Sequence, residues 1–232
     1  MSINKENNLE NKVIYDYSSF THLDYPNHLA CIVWFSGCNM RCDYCYNTDI
    51  VFAKGGKYSY NDILKFLLTR KNLLDAVVLS GGEATGHKLV EFCRAIKNMG
   101  FKIKLDTNGT NPMLVKELLD LNLLDYIALD YKAPKEKFTQ ITHSNKYEEF
   151  SNTLDILIKM DFDFEVRTTV HSDLLQTDDI NTIILDLEKR GYKHIYFIQE
   201  FLDTGNNIAS LNANINKLKK SFLLNNIEIY FR

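Results

Sequence analysis

The chain has 232 residues, of which 45% are hydrophobic and 25% charged, with a formal net charge of −3 at pH 7. This is ordinary globular composition, long enough to bury a sizeable core, and the slight negative charge gives no reason to expect a nucleic-acid binder. The longest apolar strand-like run, Leu29 to Phe35, falls far short of the about 20 apolar residues that cross a bilayer, so no membrane is expected.

In chain order, the opening MSINKENNLENK lacks the apolar stretch of a secretory signal and reads as a flexible polar tail over residues 1–13. The remainder, 14–232, carries no repeat or low-complexity linker and is expected to be a single domain in a cytoplasmic protein. Short apolar, β-branched runs predict strands at Leu29–Phe35, Ala76–Leu79, Lys102–Leu105, Tyr126–Leu129, Phe164–Val170 and His194–Ile198. Between them, apolar residues at three- and four-residue spacing predict helices in YNDILKFLLTRK, KLVEFCRAIKNMG, NPMLVKELLDLN, YEEFSNTLDILIKM and DDINTIILDLEKRG. Gly100 and Gly191 follow helical patterns where a left-handed cap is needed, and Asn111-Pro112 is a helix start. Ile227–Phe231 alternates as one further strand, at an edge. Near-continuous apolar strands joined by helices imply an α/β fold with a parallel sheet, either a barrel or an open doubly wound sheet.

Polar and special residues gather where each predicted strand ends. The first strand runs into a loop with Cys38, Cys42 and Cys45, the second into Ser80-Gly81-Gly82-Glu83, and the third into Asp106-Thr107-Asn108-Gly109. The fourth runs into Asp130-Tyr131-Lys132, the fifth carries Arg167, Thr168, Thr169 and His171, and the sixth ends at Gln199-Glu200. In parallel α/β folds the C-terminal strand ends face one mouth, where chemistry sits.

Taken singly, most of these signals have plainer readings. SGGE serves as a glycine turn, TNG is a turn in any protein, and LDYK is a strand edge with a surface ion pair. Three cysteines are one short of a structural zinc site, and neither His28 nor His87 stands at a ligand spacing from them. They equally leave one iron of a four-iron cluster without a thiolate, open to another ligand. Cys31 and Cys93 read as buried packing residues, and five clustered or isolated cysteines do not make a disulfide framework.

Cys38-x3-Cys42-x2-Cys45 after one strand, with Gly81-Gly82-Glu83 after the next, strongly resembles the radical S-adenosylmethionine superfamily. The resemblance implies a partial (β/α)6 TIM-type barrel and a [4Fe–4S] cluster on Cys38, Cys42 and Cys45, with S-adenosylmethionine chelating the fourth iron. One electron from the cluster then cleaves the sulfonium bond to give a 5′-deoxyadenosyl radical, the cofactor supplying the hard chemistry. On this reading Gly81, Gly82 and Glu83 take the methionyl ammonium, Tyr44 lies against the adenine, and Asp130 and Lys132 meet the ribose and carboxylate. Thr107, Asn108, Arg167 and Gln199 are further cofactor contacts. No protein acid or base is required.

From residue 14 to about 140 the similarity is narrower. The segment Thr21–Pro26 (THLDYP) and the run Asp130–Pro134 (DYKAP) resemble the activases of glycyl-radical enzymes, specifically those of the anaerobic ribonucleoside-triphosphate reductase. This implies hydrogen-atom abstraction from a glycine of that reductase, with reduced flavodoxin or ferredoxin as electron donor. It also implies a candidate monovalent-cation site on Asp106, Thr107, Asp130 and the Ala128 carbonyl, the plainer reading being hydrogen bonding within the turn. Tyr46 stands where many relatives carry histidine. Three alternatives stay open: an activase of another glycyl-radical enzyme, a radical enzyme acting on a small molecule such as a deazapurine precursor, and a non-enzymatic iron–sulfur or zinc protein.

Overall fold

The computed structural model describes residues 9–214, 218 and 220–232. Residues 1–8, most of the expected tail, lie outside them, and strand β1 begins ahead of residue 14, at Lys12. Contacts group the chain into two compact units. Of the described residues, one comprises 9–39, 49–107 and 113–127, the other 40–48, 108–112 and those from 128 onward.

In the first unit the strands run in the order β3-β1-β2-β4-β5: β1 (Lys12–Thr21), β2 (Ala30–Phe35), β3 (Tyr58–Ser59), β4 (Ala76–Gly81) and β5 (Lys102–Thr107). β1 is antiparallel to β2 and β3, while β2, β4 and β5 are parallel, with Ile32 opposite Val78 and Val78 opposite Lys104. That pairing follows from the β-branched residues of β2 and β4, which are buried throughout their first four positions and so suit a sheet covered on both faces. Tyr25, Ala30, Ile32, Ala76 and Val78 form a core cluster against which Trp34 and Tyr126 pack. Helices α1 (Thr48–Phe52), α2 (Tyr60–Leu68), α3 (Val90–Asn98) and α4 (Pro112–Asp120) connect the strands.

The chain passes between the units inside β6 (Tyr126–Asp130). In the second unit β7 (Phe164–Val170), β8 (Tyr196–Glu200) and β9 (Ile229–Phe231) are parallel, with α5 (Lys135–Thr142), α6 (Tyr147–Lys159) and α7 (Thr177–Arg190) between the strands. Its core includes the aromatic group Tyr131, Phe138, Tyr147 and Phe150. Gly191 closes α7 at φ 82°, the left-handed cap expected of it. All six predicted strands of the parallel set and all five predicted helices are present, with ends moved by a few residues, and parallel pairing is found for β2, β4, β5, β7 and β8. The β1–β3 ribbon, α1 and α5 are additions.

Candidate active site

In the first unit the ends of β2, β4 and β5 are knitted together by backbone and buried polar groups. Gly82 N–H donates to the Phe35 carbonyl at 2.9 Å and Glu83 N–H to the Gly37 carbonyl at 2.9 Å. A Cβ on Gly82 would lie 2.0 Å from the Gly37 oxygen, and one on Gly81, at φ 111°, would lie 2.3 Å from the Phe35 nitrogen. The close approach these glycines permit is therefore to the backbone leading into Cys38. Glu83 is buried; its Oε1 accepts from Thr85 N–H at 3.0 Å and from the Thr85 and Thr107 hydroxyls, each at 2.7 Å. Glu83 thus ties the end of β4 to the end of β5. Asp106 accepts from Lys104 Nζ at 2.8 Å and from the Ser80 hydroxyl at 3.2 Å.

In the second unit the cysteine loop meets the end of β6. Its backbone is anchored on α5, where Arg41 N–H donates to the Thr142 carbonyl at 2.9 Å and Asp43 N–H to the Ile141 carbonyl at 3.0 Å. On its other side Ile208 N–H donates to the Cys45 carbonyl at 3.2 Å and Ala209 N–H to the Asp43 carbonyl at 3.1 Å. Lys132 Nζ lies 5.7 Å from the centre of the Tyr44 ring and 2.9 Å from Asp130 Oδ2, while Arg167 Nε pairs with Asp130 Oδ1.

These charges set the protonation states. Burial resists ionisation of Asp130, but the Arg167 and Lys132 cations outweigh it and hold the carboxyl well below the usual range. Burial likewise opposes the charge on Lys132, and Asp130 reverses that, keeping the ammonium protonated well beyond its ordinary range. The Cys42 thiol is pushed up to about 11, mainly by burial, with Lys132 acting in the opposite direction. Burial also raises the Tyr44 phenol.

Several expected residues occupy positions that the sequence did not show. Tyr44 is only 5% exposed, so its ring offers little surface to an adenine. Asn108 Oδ1 accepts from the Thr110 N–H at 3.1 Å and hydroxyl at 2.7 Å, shaping the turn after β5. Gln199 sits on β8 opposite Thr169. Lys104 escaped the sequence reading, although its place two residues before Asp106 on a strand puts the two on one face. The supports from Ile141, Thr142 and residues 208–209 left no signal, since they are backbone groups.

The cysteine loop suits soft thiolate ligation. Cys38, in the first unit, and Cys42 and Cys45, in the second, form no disulfide, and the buried Tyr44 hydroxyl has no nitrogen or oxygen partner among the described residues while facing the Cys42 sulfur. A metal-bound thiolate would give that orphaned donor an acceptor. Among the described residues no three His, Cys, Asp or Glu side chains are grouped as a ready-made metal site.

A family model for the radical SAM superfamily matches residues 32–174. The chain belongs to the radical SAM superfamily. Its cofactors are accordingly a [4Fe–4S] cluster and S-adenosylmethionine, and the α/β fold of the radical SAM type implied by the cysteine and glycine motifs is the fold found. A protein of Methanocaldococcus jannaschii named as a candidate glycyl-radical enzyme activating enzyme is 34% identical over 190 residues, 77% of this chain and 75% of that one. The pyruvate formate-lyase 1-activating enzyme of Escherichia coli is 33% identical over 137 residues, 55% of this chain and 54% of that one. Among solved structures, Streptococcus suis SuiB bound to S-adenosylmethionine matches with a TM-score of 0.63 at 11% identity, over 87% of this chain and 51% of SuiB. This radical SAM chain therefore spans about half the length of those last two proteins. By its sequence relatives it is an enzyme of the glycyl-radical activating type.

Proposed function

We propose that the chain activates the anaerobic ribonucleoside-triphosphate reductase by removing a hydrogen atom from one of its glycines. The observation that carries the site is in the second unit. The Asp130–Pro134 run places Asp130 and Lys132 against the same loop that holds Cys42, Tyr44 and Cys45. Cys38, Cys42 and Cys45 would hold the cluster, with Gly81, Gly82, Glu83, Thr107 and Asn108 as proposed cofactor contacts. Lys132 supplies a fixed positive charge for the methionyl carboxylate, with Asp130 locked by Arg167 as an acceptor for a hydroxyl. Tyr44 backs the Cys42 sulfur, and Gln199 closes the β8 side. When bound, the cluster supplies one electron and S-adenosylmethionine the 5′ carbon that takes the hydrogen atom.

The choice of reductase rests on the Thr21–Pro26 and Asp130–Pro134 segments together. In the first, the Thr21 hydroxyl donates to Asp24 Oδ2 at 2.5 Å and Tyr25 is buried in the core, which fixes the link between β1 and β2. The identity to the pyruvate formate-lyase 1-activating enzyme favours a second reading, another glycyl-radical partner. The proposal places the enzyme in the cytoplasm with reduced flavodoxin or ferredoxin as donor; no helix among the described residues is long and apolar enough to cross a membrane.

The test mixes anaerobically reconstituted, reduced protein with S-adenosylmethionine and either the reductase or pyruvate formate-lyase, followed by electron paramagnetic resonance. A glycyl doublet with the reductase alone is expected. A doublet only with pyruvate formate-lyase selects the second reading, and no doublet with the reductase, from protein that cleaves S-adenosylmethionine, sinks the first. Cys42→Ala should abolish S-adenosylmethionine cleavage.

A further inference from the structure

We infer that Lys104 is a built-in cation, its ammonium standing at Asp106 where the resemblance would put a monovalent metal ion, so that cofactor binding needs no added potassium or sodium. The inference rests on the proposed S-adenosylmethionine site. On β5 the side chains of Lys104 and Asp106 emerge on one face, so the lysine reaches along its own strand toward the C-terminal end. Its side chain is 3% exposed and that of Asp106 12% exposed, and Lys104 Nζ lies 2.8 Å from Asp106 Oδ1.

The side chains of the expected ion site have protein partners as well. The second oxygen of Asp106 accepts from the Ser80 hydroxyl at 3.2 Å, and the Thr107 hydroxyl donates to Glu83 at 2.7 Å. In the second unit Asp130 carries Lys132 on one carboxylate oxygen and Arg167 on the other. Within each unit, then, the carboxylate of the expected set already has a protein cation beside it: Lys104 at Asp106, and Lys132 and Arg167 at Asp130. A metal ion entering at Asp106 would strip a buried ammonium of its counter-charge, which costs far more than a weakly bound monovalent ion returns. The donor set does not fit a bare ion. It fits a tethered one, held by the covalent chain at an effective concentration that no dissolved salt matches.

The test measures S-adenosylmethionine affinity of the reconstituted enzyme in potassium, sodium and tetramethylammonium chloride at equal ionic strength. In parallel, the protein is melted without S-adenosylmethionine in the same three salts. For the unmodified chain the three dissociation constants should agree within about twofold and the melting temperatures should coincide. Lys104→Met should bind S-adenosylmethionine about tenfold more weakly in tetramethylammonium, recover in potassium or sodium, and melt higher in those two salts. Lys104→Arg should behave as the unmodified chain. A gain of about tenfold or more from a small cation in the unmodified chain, or a Lys104→Met variant indifferent to salt with unchanged affinity, overturns the inference. If Lys104→Met does not fold, the unmodified chain and Lys104→Arg still decide. If S-adenosylmethionine binds in no salt, the proposed function fails, and the melting series alone decides the cation: stabilisation of the unmodified chain by potassium or sodium refutes it, and salt-independent melting upholds it.

Discussion

Cys31 and Cys93 lie inside β2 and α3, and burial pushes both thiols up from 9.0 to about 12. In the unfolded chain they ionise near 9.0, so above that pH the unfolded state binds fewer protons than the folded one. Their contribution is present in full below pH 9 and is lost as pH rises toward 12, at about 1.4 kcal/mol per thiol per pH unit. Urea unfolding of the protein should therefore show stability falling from pH 9 to 10.5. The Cys31→Ala/Cys93→Ala variant, less stable at neutral pH, should have a flatter slope, and an unchanged slope refutes the assignment. The sequence marked these two cysteines as packing residues because Cys31 sits in an apolar strand-like run and Cys93 in the helical pattern EFCRAIK. Lys104 was harder, since a lysine in a strand ordinarily signals a solvent-facing position, and only its burial beside Asp106 changes its meaning.

At the scale of elements, the helices with apolar residues at three- and four-residue spacing were the legible ones, and capping adds to their definition. Helix α2 is the clearest case. Ser59 accepts from Asp62 N–H at 3.2 Å, and Asp62 accepts from Ser59 N–H at 2.8 Å, a reciprocal capping box. Ser59→Ala should cost about 1 kcal/mol by chemical denaturation, as loss of a cap does, whereas Ser59→Asp should recover most of it. Strand β1 was not legible. Its run KVIYDYSSFT alternates poorly, and two register irregularities along its pairing with β2 break the period of two on which a sequence reading depends. Gly56 shows the packing that holds this ribbon: a Cβ there would lie 2.1 Å from the Ile14 carbonyl oxygen, a tertiary demand with no local signature. Helix α5 was missed because it is short and follows Pro134, although its last carbonyls carry the cysteine loop.

Across the molecule, β4, β5, β6 and β8 share a division of labour, buried apolar residues along the strand and polar or glycine residues at its C-terminal end. β8 allows that division to be tested on adjacent residues. Ile198 is 1% exposed and bonded into the sheet between β7 and β9, whereas Gln199 is partly exposed on the opposite face. Ile198→Ala should lower stability by about 2–5 kcal/mol through lost contacts and the cavity left behind. Gln199→Ala removes little packing and should leave stability within about 0.5 kcal/mol, yet weaken S-adenosylmethionine binding by about tenfold if the strand end faces the cofactor. Melting curves and equilibrium binding on the same preparations separate the two effects. Equal loss of stability in both variants would mean that Gln199 belongs to the packing. Unchanged affinity in Gln199→Ala would remove β8 from the proposed contacts and leave Asp130, Lys132 and Arg167, at the ends of β6 and β7, as the candidates to test next.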